Sequence, residues 1–447
     1  MDDRRFSERV SERLARKRSY RVLLRRCDRA DPDRVRAILD ESLAELGLAP
    51  KGRLLIKPNV VTANRRYIHH SYTEPELVRQ AVLWARAGGA THVTVGESGG
   101  YGIPSRLFMR EAGYLNLARD GAKVVDFNTE GYAVEALRRG VHHRTMQVAA
   151  SLHDADFLLW MPKLKYHICC TITAAIKLNV GILRHRERML YHDDRLDEKI
   201  VDLLEVGYPD AVVLDAIEIG TGYESAPSPI HFGAILVADD PVAADAVACR
   251  LLGYEPEQCR HLMLAHERGY GPESFDDIRV EGDVSLAELQ AVTAGHESEY
   301  QDIHKLRSPI RFYTGNEPTR DRFCHGGCLA AVKGCLGTID KRRPGSVARA
   351  REGAIVTGVY NGDVDAGRGV ALLVGSCTRV NGKITAGKVR RVGGCPIGTK
   401  RLFMKLPRYF DLPNPMFDVR DSFLFVLFAI DKFFRKVLAT ISPRTSS

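Results

Sequence analysis

Short apolar runs alternating with helical patterns from Tyr20 to Gly282 predict an α/β protein with a doubly wound, mostly parallel sheet. Two further observations support this class. Runs such as VVLDAI and FLLWM are continuously apolar, as strands covered on both faces must be. A length of 447 residues also allows two or three domains, each able to bury a core.

YRVLLRRC (Tyr20–Cys27) reads as the first strand, and Asp33–Leu46 as a helix with Val35, Ile38, Leu39 and Leu43 at helical spacing. Arg53–Lys57 is a strand closed by Pro58-Asn59. Thr73-Glu74-Pro75 opens a helix to Ala87, with the Thr73 hydroxyl expected as its cap. His92–Val95 and Lys123–Phe127 are strands flanking a helix over Ser105–Arg119. The alternation resumes with strand Asp156–Met161, helix Thr171–Val180, strands Ala211–Ile217 and Ala234–Ala238, and helix Pro241–Leu252. Beyond Glu297 the chain becomes rich in Gly, Arg and Cys, with short β-like runs and no long amphipathic helix before residue 400. The expected division is a charged N-terminal extension (1–19), an α/β domain (20–284), a smaller Cys-rich C-terminal module (285–410), and an apolar helix with a tail (411–447). No internal repeat stands out.

Hydrophobic content of 45% and charged content of 27% exclude disorder throughout. The excess of 65 Lys and Arg over 56 Asp and Glu, a net +9, is mild for this length and suits an anionic ligand. Without an aromatic-plus-basic stripe, nucleic acid is not an expected partner. The start, MDDRRFSERVSERLARKRSYR, has no apolar signal core, so a cytoplasmic location is expected. FLFVLFAI falls short of the ~20 residues a spanning helix needs. The segment Phe423–Leu438 is expected to dock on the body, or to contact a membrane surface or a partner.

In an open α/β sheet the ligand crevice lies beyond the carboxyl ends of the strands. Reading the residues there collects Lys57 and Asn59, then Glu97, Ser98 and Gly99 in a glycine-rich turn, then Lys163, Lys165 and His167 on an extended segment. Lys177, Asn179 and Arg184 follow. Lysines so placed suit a small anionic substrate. His167, Glu97 and Lys165 are the candidate proton-transfer groups, with Lys57, Asn59, Ser98, Gly99, Lys163, Lys177, Asn179 and Arg184 as binding residues. The adjacent Cys169-Cys170 is read as a buried structural pair.

Five of the ten cysteines, Cys324, Cys328, Cys335, Cys377 and Cys395, fall near the C-terminus. In a reducing compartment clustered thiols hold metals or do redox chemistry. Glycine-flanked thiols and Cys395-Pro396 suit an iron–sulfur cluster, of the [4Fe-4S] type, on Cys324, Cys328, Cys377 and Cys395, with Cys335 as a fifth thiol. Zinc, with His325 as a further ligand, competes.

The runs LLIKPNVV, YTEPELVRQAV, THVTVGESGG, DADFLLWMPKLKYH, TAAIKLNVGIL and ILVADDPVAADAVACRLLG, in this order, resemble the domain of unknown function 362 family over residues 20–282. The CHGGC and GGCP segments resemble the cysteine-bearing C-terminal part of some members. The resemblance implies an iron–sulfur-binding protein. The combined expectation is an iron–sulfur oxidoreductase acting on a small anionic organic substrate, fed by an electron donor such as a ferredoxin. A non-redox isomerase or lyase, or an electron-transfer or scaffold protein with no substrate, are the alternatives.

Overall fold

The computed structural model describes residues 3–100, 103–183, 187–188, 195–296, 302–315, 327–395, 397–414 and 418–441. Ten strands form one sheet: β1 (Arg21–Arg26), β2 (Arg53–Pro58), β3 (His92–Glu97), β4 (Lys123–Asp126), β7 (Phe157–Met161), β8 (Lys163–Tyr166), β9 (Ile172–Thr173), β10 (Ala211–Thr221), β11 (Ser228–Ala238) and β12 (Arg279–Gly282). Between β4 and β7, β5 (Tyr132–Ala136) and β6 (Thr145–Ala149) pair as a separate hairpin. The sheet order is β12-β1-β11-β10-β7-β2-β3-β4, with β8 and β9 branching from β10.

The parallel expectation holds from β10 through β4. It fails at β11, which runs antiparallel to both β10 and β1 and starts six residues earlier than the sequence suggests. The reason is the short connection from β10, which permits a return hairpin but no crossover. Apolar faces above and below the sheet form two separate cores, one around Trp160, Leu214 and Leu236, the other around Leu39, Val82 and Val213.

Several element boundaries differ from the sequence reading, each for a local reason. Thr73 does not cap its helix. Its hydroxyl accepts from the Asn59 N–H (2.9 Å) and donates to the Met161 carbonyl (2.6 Å), tying the ends of β2 and β7 together. The helix expected over Ser105–Arg119 breaks at Gly113, whose φ of 87° is left-handed, into Ser105–Glu111 and a 3₁₀ turn over Tyr114–Asp120. The expected helix Thr171–Val180 begins as β9 and is helical only from Ala175, where Asp245 accepts the Ala175 and Ile176 N–H groups. The N-terminal extension is a helix (Asp3–Ala15) docked on the body through buried Phe6 and Val10 and an Arg13–Asp210 ion pair.

The C-terminal region contains a second, four-stranded parallel sheet in the order β13 (Ile310–Thr314), β14 (Gly353–Asn361), β16 (Val370–Asn381), β18 (Lys388–Val392). β15 (Val364–Asp365) and β17 (Ile384–Thr385) pair beside it. Asn361-Gly362-Asp363-Val364-Asp365-Ala366-Gly367 and Asn381-Gly382-Lys383-Ile384-Thr385-Ala386-Gly387 stack turn on turn, with the Asn381 amide donating to the Asn361 side chain at 2.8 Å. These are two coils of a short solenoid, an internal repeat that the sequence reading did not find. The region also holds a long helix before residue 400, Cys328–Arg342, contrary to expectation. It packs over the open end of the large sheet.

Candidate functional site

The parallel strands β2, β3, β7 and β10 present their carboxyl ends to one edge, as the topology requires. A cavity of about 530 Å³ lies there. Its floor comes from Lys57, Glu97, His167, Lys177 and Glu224, and its roof from the helix Cys328–Arg342 and the C-terminal helix Val419–Ile441.

Lys57 is fully buried and pairs with Glu97 at 2.5 Å; burial drives its ammonium below the usual lysine range, while Glu97 holds it up. Glu97 also accepts the Ser98 N–H at 2.7 Å. Gly181 passes so close that any side chain there would strike both members of the pair. Lys165 is likewise fully buried, donating to Asn59 Oδ1 (2.8 Å) and to the Ser71 (2.7 Å) and Glu224 (3.2 Å) carbonyls. Burial, followed by the nearby Lys177, pushes it down to about 7. Glu224 moves the other way, raised by burial despite Lys177 and Lys165. Its Oε2 is buried without a hydrogen-bond partner among the described residues. His167 Nδ1 accepts the N–H groups of Cys169 (3.0 Å) and Cys170 (3.2 Å), so the ring proton belongs on Nε2, which faces Glu224 Oε1 at 3.7 Å.

Not every expected residue reaches the cavity. Lys163 pairs at 2.9 Å with Asp215, its cross-strand partner in the β8–β10 register, and Lys165, held by Asn59, Ser71 and Glu224, does not line the cavity. Asn179 accepts from the Trp160 indole at 2.8 Å and is a packing residue. Ser98 is buried and donates to the Gly181 carbonyl, while Gly99 lines the cavity. Arg184 lies outside the described residues. Glu224 and Arg188 were not foreseen. Arg188 is buried, holds the Ser98 and Gly99 carbonyls, and is lowered by burial to about 10.

Of the five C-terminal thiols, Cys324 lies outside the described residues. Cys328, the first residue of its helix, and Cys377 of β16 both border the space beside Gly375, which a Cβ there would fill. Cys395 is exposed, with its thiol raised by burial and then by nearby Cys377. Among the described residues, Cys328 and Cys377 thus share the space beside Gly375, with Cys395 near Cys377. Cys335 sits further along the helix inside the apolar core, fully buried and raised by burial, away from this group.

Against known proteins, residues 54–250 match the family described as domain of unknown function (DUF362). This segment is a DUF362 domain. The DUF362 segment contains Lys57, Glu97, His167, Lys177 and Glu224, so the cavity floor belongs to it. A relative, the thylakoid-associated protein sll1697 of Synechocystis sp., is 27% identical over 245 residues, covering 52% of this chain and 73% of that protein. Two solved structures are similar at a distance. A Thermotoga maritima protein matches at 10% identity and a TM-score of 0.35, over 73% of this chain and 70% of that one. The lactate racemase apoprotein of Thermoanaerobacterium thermosaccharolyticum matches at 8% and 0.33, over 78% and 71%. Neither likeness carries an argument about chemistry.

Proposed function

We propose that the crevice of the DUF362 domain is the active site of an enzyme that transfers a proton on a small organic anion, an isomerase or lyase. The observation that carries this reading is Glu224 Oε2, buried at the cavity floor beside His167 and without a hydrogen-bond partner among the described residues. A carboxyl raised by burial in a cleft is a candidate proton-transfer group. Glu224 takes the proton from carbon next to the substrate's carboxylate and returns it, while Lys165, donating to the Glu224 carbonyl, fixes the loop that carries it. His167 orients Glu224 through its Nε2–H, and Lys177 supplies positive charge to the bound anion. The test incubates the protein with a panel of small mono- and dicarboxylates in heavy water and follows exchange of the α-proton by NMR. Exchange without any electron donor, lost in Glu224→Gln, is expected. No exchange with any carboxylate would overturn the reading.

A redox reading is favoured by one separate observation, the approach of Cys328 and Cys377 around Gly375. Cys328, Cys377 and Cys395, with Cys324, would hold an iron–sulfur cluster, which supplies one-electron transfer when bound and implies a donor such as a ferredoxin. Iron and sulfide content of anaerobically purified protein tests it, and Cys395→Ser should lower both. A membrane-surface role is supported by the exposed apolar stripe of the C-terminal helix and by the thylakoid-associated relative.

A further inference from the structure

A second group of metal-binding side chains lies behind the crevice. We propose that Cys170, Asp197 and His261 bind a zinc-class divalent cation. The ligand atoms of the first three lie within 4.8 Å of one another. His261 Nδ1 is 3.0 Å from Asp197 Oδ1, and Cys259 Sγ is 3.5 Å from both ring nitrogens. His261, Cys259 and Cys170 are buried, and Asp197 is partly exposed, which leaves an ion a route in. The donors come from three places in the chain: the turn after His167, the first turn of the helix Leu196–Leu204, and the start of the helix Arg260–Glu267. A thiol, an imidazole and a carboxylate are three protein ligands that leave a fourth tetrahedral position to water. Bonds of 2.0–2.3 Å place tetrahedral donors roughly 3.3–3.8 Å apart, so the three donors need to draw together by about 1–1.5 Å at most.

The outer ring of the site is also in place. His261 Nε2 faces Asp245 Oδ2 at 3.9 Å, the carboxylate–histidine arrangement that orients a metal-bound imidazole. Asp245 in turn holds the N–H groups of Ala175 and Ile176, at the start of the helix that carries Lys177 into the crevice. The Cys170 N–H donates to His167 Nδ1. An ion at Cys170 therefore braces the turn behind His167 and the helix behind Lys177. The site stands on its own residues, whatever chemistry the crevice performs.

The test is a cobalt(II) titration of the full-length protein in a Cys324→Ser/Cys328→Ser/Cys377→Ser/Cys395→Ser background, which removes the competing C-terminal thiol group. The expected result is one tightly bound ion per chain with a thiolate-to-cobalt charge-transfer band, displaced by zinc. Cys170→Ser should weaken binding by roughly tenfold or more and diminish that band. Asp197→Asn, at a partly exposed position, should weaken it similarly and covers the case in which Cys170→Ser does not fold. Absence of a thiolate band in the background protein, or undiminished affinity in a folded Cys170→Ser or Asp197→Asn protein, overturns the proposal.

Discussion

Lys165 is a fully buried lysine that burial lowers to about 7. A lysine held near 7 in the folded chain and near 10.5 when unfolded makes the unfolded state the better proton binder between those values. Stability attributable to Lys165 is therefore absent below about pH 7 and grows as pH rises toward 10.5. Lys165→Met should remove that rise, so the two proteins' unfolding free energies in urea should diverge with pH by up to about 5 kcal/mol. A parallel pH dependence in both would show that Lys165 is charged in the fold. Lys165→Arg, charged at all these pH values in both states, should likewise show no such rise. The lysines were legible because each stands just past an apolar strand. Glu224 was not, because β10 was read as ending at Ile217; it runs to Thr221 and carries the next loop into the crevice.

The helix Cys328–Arg342 closes the cavity because its glycines let it lie against the loop from β10. A Cβ on Gly334 would meet the Tyr223 hydroxyl, and one on Gly337 would meet Tyr223 Cβ, Cγ and Cδ1 at 2.7–2.8 Å. Tyr223 precedes Glu224, so this contact also sets the acid. In an exposed helix, Gly→Ala stabilises by up to about 1 kcal/mol. Here Gly337→Ala should instead destabilise by about 1–3 kcal/mol, because the ring root cannot retreat. The thermal midpoint checks the sign, and a rise would place the helix away from Tyr223. The same glycines hid the helix from sequence reading, since CLAAVKGCLG shows weak amphipathic patterning and reads as loop. The solenoid was hidden for another reason. Its repeated Asn-Gly and Ala-Gly pairs are legible, but two copies are few, and the flanking strands differ between coils.

The large sheet, the helix Cys328–Arg342 and the last helix meet around one cavity, so the C-terminal helix has two faces with different work. Its inner face is fixed by Arg420–Glu111 (2.9 Å) and Arg342–Asp421 (2.5 Å) ion pairs and by buried Leu424. Its outer face leaves Phe423, Val426, Ile430, Phe433 and Val437 exposed at three- and four-residue spacing, with Phe423 at 67% and Phe433 at 63%. Among the described residues no helix is long and apolar enough to cross a membrane. A stripe of this kind, with exposed Arg435 and Lys436 beside it, suits the plane of an anionic lipid surface. In that orientation the helix would seat the cavity roof against the lipid, and the crevice would draw its substrate from the membrane boundary. The full-length protein should pellet with vesicles of anionic phospholipid and less with neutral ones. Phe423→Glu/Phe433→Glu should stay in the supernatant while unfolding within about 0.5 kcal/mol of the parent, because neither ring supports the fold. If the parent does not pellet and instead forms a dimer that the double substitution dissolves, the stripe is a helix–helix interface between copies, and the membrane orientation is wrong.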